Sequence, residues 1–149
     1  MGVTRMGKTT IFLADDDEGV RRTLRTFFEG LPGYRVVGEA CDGMEAVEGC
    51  RASAPDVALL DIQMPLLDGV SVARQVLADR AAKCVIILTA FSDREHIERV
   101  QACGAAGYLT KPFEAEKILP TIELCINQLS FHTVTVALLL KFVESIEVG

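Results

Sequence analysis

Short apolar runs alternate along this chain with longer stretches in which apolar residues recur every three or four positions. The runs are Ile11-Phe12-Leu13-Ala14, Tyr34-Arg35-Val36-Val37-Gly38, Asp56 to Leu60, Val85-Ile86-Ile87-Leu88 and Gly107 to Leu109. Each has the length of a strand, and the second is the least apolar, as an edge strand would be. The stretches between them have helical spacing. Glu18 to Glu29 carries Val20, Leu24, Phe27 and Phe28, and Gly43 to Ala52 carries Met44, Val47 and Cys50. Val70 to Asp79, Asp93 to Cys103 and Glu114 to Leu129 follow, the last with a kink expected at Pro120. Strand–helix alternation with short connections predicts an α/β fold, a parallel sheet with helices on both faces.

Four of these runs end on a reactive polar group. Ala14 leads into Asp15-Asp16, Leu60 into Asp61, Leu88 into Thr89, and Leu109-Thr110 into Lys111-Pro112. In open α/β sheets ligands bind beyond the carboxyl ends of the strands, which is where these groups fall. Three carboxylates brought together resist full ionisation, and a hard divalent cation removes that cost. Mg²⁺ with retained waters suits such a set. Lys111 adds a fixed positive charge, so the edge would welcome a phosphoryl group. Asp61, alone at the end of the central strand, is the candidate nucleophile, and Asp15 with Asp16 the metal-holding pair. Taken singly, each has a plainer explanation: Asp17 as a helix cap, Thr89 as a turn residue, Lys111 as a solvated charge. Four strand ends furnished this way together point to a site.

Composition narrows the classes. The 149 residues fit one domain, with half apolar and 24% charged. A net charge of −6 without a basic stripe argues against direct nucleic-acid binding. The five cysteines are widely spaced and form no metal-ligand pattern, so they read as small core residues of a cytoplasmic protein, without a disulfide framework. No apolar run reaches the roughly 18 residues of a membrane span. Gly2-Val3-Thr4-Arg5-Met6-Gly7-Lys8-Thr9 fits the P-loop pattern, but runs into a strand where a P-loop must open a helix. Residues 1–8 are therefore expected to be a disordered leader, residues 9–129 the domain, and residues 130–149 an apolar extension of unknown role.

Leu13-Ala14-Asp15-Asp16-Asp17, Leu60-Asp61-Ile62-Gln63-Met64-Pro65, Asp68-Gly69, Leu88-Thr89-Ala90 and Tyr108-Leu109-Thr110-Lys111-Pro112-Phe113 resemble, in order and spacing, the signature of response-regulator receiver domains of two-component signalling. The resemblance covers about Thr10 to Leu129. It implies a flavodoxin-like, doubly wound five-stranded sheet in the order 2-1-3-4-5. It further implies that Asp61 accepts a phosphoryl group from a histidine kinase or phosphotransfer protein. Asp15, Asp16, Asp61 and the backbone carbonyl of Gln63 would hold Mg²⁺. Thr89 and Lys111 would bind the phosphoryl oxygens, Tyr108 would swing inward on activation, and the bond to Pro112 would be cis. Gln63 and Phe91 lie near the expected water path. The output would be a downstream protein partner or a homodimer. The later half, Leu88-Thr89-Ala90-Phe91-Ser92 through Leu124, is similar to receivers joined to ANTAR RNA-binding domains, a likeness that does not carry RNA binding to this chain.

Two other classes compete. A Mg²⁺-dependent phosphohydrolase with an aspartyl nucleophile commonly needs a second acid–base Asp two residues on, where this chain has Gln63. A binding module without phosphorylation would have no need of the full set Asp15, Asp16, Asp61, Thr89 and Lys111. The expectation is a signalling phosphoacceptor, not an enzyme with turnover.

Overall fold

The computed structural model describes residues 7–90 and 94–127. Strands β1 (Thr9–Ala14), β2 (Tyr34–Ala40), β3 (Val57–Asp61), β4 (Cys84–Thr89) and β5 (Gly107–Thr110) form one parallel sheet. Their order is β2-β1-β3-β4-β5, the flavodoxin-like arrangement with β2 on the edge. Helices α1 (Glu18–Glu29), α2 (Gly43–Ser53), α3 (Gly69–Ala78) and α4 (Arg94–Ala102) fill the crossovers, and α5 occupies residues 115–127.

The continuous apolar runs follow from this layering, because a strand covered on both faces has no solvent side. Every residue of β3 is buried. Successive residues feed opposite cores. Phe12, Ala58, Leu60 and Ile87 meet α2, α3 and α4 through Val47, Val72, Val76 and Val100. Ile11, Leu13, Leu59, Ile86 and Leu88 meet α1 and α5 through Leu24, Phe28, Ile118 and Ile122. Asp17, Asp42 and Asp68 begin α1, α2 and α3, each side chain accepting a backbone N–H of the first turn.

Three expectations change. The cysteines are not all isolated core residues: Cys84 and Cys125 form a disulfide, and Cys41 is exposed. Sequence separation hid the pair, since β4 and α5 become neighbours only once the sheet is built. The third strand begins at Val57 instead of Asp56 and ends on Asp61 itself. Asp56 stays outside the strand, its carboxylate accepting the Thr10 backbone N–H and hydroxyl. Helix α5 runs through Pro120 without a break. Lys8 leads into β1, which Thr9 opens, so the P-loop pattern has no helix to open. Phe91, most of the leader and residues 130–149 lie outside the described residues.

Candidate functional site

The β1, β3, β4 and β5 ends converge because each is followed by a turn held to its neighbour. Asp15 donates its N–H to the Ala40 carbonyl at 3.1 Å, and its Oδ1 accepts the N–H of Asp17 at 2.9 Å. That turn leaves Asp15 buried and Asp16 exposed at the crest. Asp61 is the last residue of β3, paired with Leu88, and Ile62 continues the ladder to the Leu88 carbonyl. Behind it, Gly69 opens α3 so close that a Cβ there would lie 2.2 Å from the Asp61 carbonyl oxygen. Only glycine permits that approach, and it fixes the backbone that carries Asp61. On the far side Lys111 donates its N–H to the Thr89 carbonyl at 2.8 Å, and the Lys111–Pro112 bond is cis, as expected.

The side chains meet across the sheet. Lys111 Nζ lies 2.6 Å from Asp15 Oδ2 and 3.3 Å from Asp61 Oδ1. Oxygens of Asp15, Asp16 and Asp61 all lie within 4.8 Å of one another. Burial pushes the Asp61 carboxyl up to about 6, with the nearby Asp15 charge adding and Lys111 opposing. Burial alone would lower Lys111, but its hydrogen bond to Asp15 and the charges of Asp61 and Asp15 outweigh that, and its pKa is raised. One ammonium thus pairs with two of the three clustered carboxylates. The surplus of negative charge on hard oxygen donors fits a divalent cation such as Mg²⁺.

Of the other expected residues, Gln63 donates its backbone N–H to Asp61 Oδ1 at 3.4 Å and keeps its side chain exposed. Thr89 is 2% exposed at the end of β4. Tyr108 faces outward from β5, 37% exposed. A cavity of 410 Å³ opens beside Asp16 and Gln63, walled on the α4 side by His96 and Arg99.

Sequence reasoning missed Arg21. Its Nη1 donates to the Asp15 carbonyl at 2.6 Å while its Nε pairs with Glu39 on β2 at 3.2 Å, bracing the acidic turn from outside. Nothing in the sequence marked it, since it is one of several arginines on an amphipathic helix. A second group of possible ligand atoms, Cys41, Asp42 and Glu45, is accounted for by capping: Asp42 accepts the Glu45 N–H, and Glu45 accepts the Cys41 N–H and thiol.

The comparisons with known proteins find similarity to response regulators and their receiver domains. The response regulator receiver domain matches residues 11–123. The chain is 38% identical over 118 residues to the transcriptional regulatory protein PdtaR of Mycobacterium tuberculosis, covering 79% of this chain and 57% of that protein. It is 37% identical over 113 residues to the response regulator UvrY of Escherichia coli, covering 76% and 52%. It therefore spans about half the length of the curated relatives it matches. Among solved structures, the receiver domain of the putative response regulator NarL from M. tuberculosis superposes with a TM-score of 0.76 at 31% identity, covering 81% of this chain and 98% of that one. The receiver domain of the sensor histidine kinase PA1611 from Pseudomonas aeruginosa, described with magnesium coordinated in its active-site cleft, gives 0.71 at 28% identity, covering 81% and 99%. The convergence of acidic turn, strand-end aspartate and lysine at one edge of a 2-1-3-4-5 sheet, together with these likenesses, places the chain in the response-regulator receiver domain family of two-component signalling.

Proposed function

We propose that this receiver takes a phosphoryl group on Asp61, with Mg²⁺ bound, and passes the change on as altered partner binding or self-association. The observation that carries the reading is Lys111 Nζ lying between Asp15 and Asp61, at 2.6 and 3.3 Å. It joins the prospective metal-holding residue to the prospective nucleophile. Asp15, Asp16, Asp61 and the backbone carbonyl of Gln63 are the residues that would hold Mg²⁺, which supplies charge neutralisation for the incoming phosphoryl oxygens.

An Asp61 carboxylate oxygen attacks phosphorus in line. The bond from phosphorus to the donor nitrogen of a phosphohistidine breaks, and the imidazole leaves with the bonding pair and takes up a proton. Lys111 exchanges a carboxylate partner for a phosphoryl oxygen, and Thr89 Oγ1 donates to another. The added charge of about −1.5 to −2 draws both residues toward Asp61. Since the Lys111 N–H bonds the Thr89 carbonyl, the ends of β4 and β5 move as a unit. Helices α4 and α5, which flank them, carry the change outward. The donor is a histidine kinase or phosphotransfer protein, and the recipient a downstream protein or a second copy of the chain. The chemistry ends on the protein itself, so it is a recorded signal and not substrate turnover.

Incubating the chain with a small acyl phosphate or phosphoramidate and reading intact mass tests this. One phosphoryl adduct is expected, lost with EDTA and lost in Asp61→Asn. Steady phosphate release from varied monoesters without an adduct would instead identify a phosphohydrolase, and neither outcome would leave a binding module.

A further inference from the structure

The sulfur pair at the opposite end of the sheet takes part in none of these steps. Cys84 opens β4 and Cys125 lies on α5, with Cα atoms 6.3 Å apart, inside the range a disulfide spans. Cys84 is half-buried with its Sγ 3.5 Å from the Asp56 carbonyl oxygen, whereas Cys125 is 5% exposed. The remaining cysteines do not compete. Cys50 and Cys103 are buried in the core on the other face of the sheet, and Cys41 is exposed and hydrogen-bonded to Glu45. The bonded cysteines are separated by 41 positions, and the segment between them contains Thr89, α4, Tyr108, Lys111 and Pro112. The link thus ties together the two ends of the half-domain that would respond to a phosphoryl group.

We propose that Cys84–Cys125 is a thiol–disulfide modification site, exchanging with low-molecular-weight thiols and disulfides, whose oxidised form pins α5 to β4. In the reducing direction a small thiolate attacks the Cys84 sulfur, the one nearer solvent. The S–S bond breaks, and Cys125 leaves as a thiolate and takes up a proton. A second small thiolate attacks the resulting mixed disulfide at its own-kind sulfur, releasing Cys84 and a small-molecule disulfide, so two thiols are oxidised for one bond reduced. Oxidation is the reverse, with the small disulfide as oxidant. With the bond broken, α5 is held on this face by apolar contacts such as those of Ile118 and Ile122. With it formed, the helix cannot lift from the strand that carries Thr89.

The test uses the 149-residue chain equilibrated in buffers of graded reduced-to-oxidised glutathione ratio, alkylated under denaturing conditions and mapped by mass. Of the five cysteines, all should be alkylated at the reducing end; at the oxidising end Cys84 and Cys125 should be joined to each other, the buried Cys50 and Cys103 still alkylated, and the exposed Cys41 alkylated or carrying one glutathione, all reversibly. Amide hydrogen exchange across residues 115–127 should be at least about tenfold slower in the oxidised protein, and the melting temperature about 10 °C higher. The Cys84→Ala/Cys125→Ala double variant should show the fast exchange in every buffer. If it does not fold, the wild-type comparison between buffers gives the same readout. Full alkylation at every ratio, a cross-link between other cysteines, or equal exchange of α5 in both states would overturn the proposal. Neither readout involves phosphorylation, so a failure at Asp61 leaves the inference standing.

Discussion

The two ends of the central strands hold similar parts in opposite balance. At the amino end Asp56, 8% exposed, accepts the Thr10 N–H at 2.9 Å and the Thr10 hydroxyl at 3.1 Å. Its own N–H donates to Thr10 Oγ1, and Lys83 lies 3.1 Å from its other oxygen. At the carboxyl end Asp61, 6% exposed, has one long backbone hydrogen bond and a lysine shared with Asp15. Both are buried carboxylates beside a lysine. The first is satisfied and the second is short of partners, and that shortage is what would suit it to the cation and the phosphoryl group proposed for it. Burial of a charge therefore does not mark a site; incomplete compensation does.

The largest break in this symmetry should come from removing Asp56. Asp56→Ala takes away the acceptor of the half-buried Thr10 N–H and hydroxyl and should cost about 2 kcal/mol, read as a lower urea midpoint with an unchanged slope. Most of that loss comes from the Thr10 hydrogen bonds, because the Lys83 side chain is 71% exposed and its ion pair adds little. Mg²⁺ affinity, measured by calorimetry, should stay the same. At the other end Asp61→Asn removes one of three repelling carboxylates. Without divalent cations at pH 8 it should stabilise the fold by about 1–2 kcal/mol. Destabilisation there would mean that the Lys111 contact outweighs the repulsion, and the contrast between the ends would fail.

The pH profile of the metal-free protein tests the same contrast without mutation. Asp61 sits at about 6 in the fold against an ordinary value of 3.8, so between those values the folded state holds more of this proton than the unfolded state. Stability from this group is then fully present below pH 3.8 and is lost as pH rises through about 6, the observed midpoint belonging to the cluster as a whole. Urea unfolding in EDTA should show the decline, Mg²⁺ should remove it, and Asp61→Asn should flatten it. A profile unchanged by that substitution would assign the decline to another group.

How much of this was legible in the sequence depended on where the information lay. The elements and the site residues sit on local patterns: apolar runs of strand length and a polar residue where each stops. Helix spacing gave α1 its bounds directly. The cis bond at Pro112 came from the family resemblance and is present. What escaped depended on contacts between distant segments. Arg21 reaches the Asp15 carbonyl only because α1 folds back over β1, and Cys84 meets Cys125 only because β4 and α5 stack. Asp56 was drawn out of the third strand by Thr10, 46 positions away. Neither periodicity nor propensity encodes such pairings.

The smallest effect concerns backbone conformation, where the ends also differ. Ala54, at the carboxyl end of α2, has φ 45° and closes its helix with a hydrogen bond to the Cys50 carbonyl. That is an ordinary left-handed cap, and Ala54→Gly should stabilise by about 0.5–1 kcal/mol, relief of the Cβ clash being partly offset by a freer unfolded chain. Leu66 has φ 70° in the loop between Asp61 and α3, and its side chain is 77% exposed. Gly43 braces that loop, since its N–H bonds the Pro65 carbonyl and a Cβ there would strike Leu67. Leu66→Gly relieves the same clash and loses little packing, so its gain should match that of Ala54→Gly in urea midpoint. The two should diverge in function: Ala54→Gly lies away from the strand ends that carry the site and should leave the rate of Asp61 phosphorylation by a small phosphodonor unchanged, whereas Leu66→Gly loosens the loop that follows Asp61 and should slow it. Equal rates in both variants would show that Gly43 and Gly69 alone hold the Asp61 backbone in place.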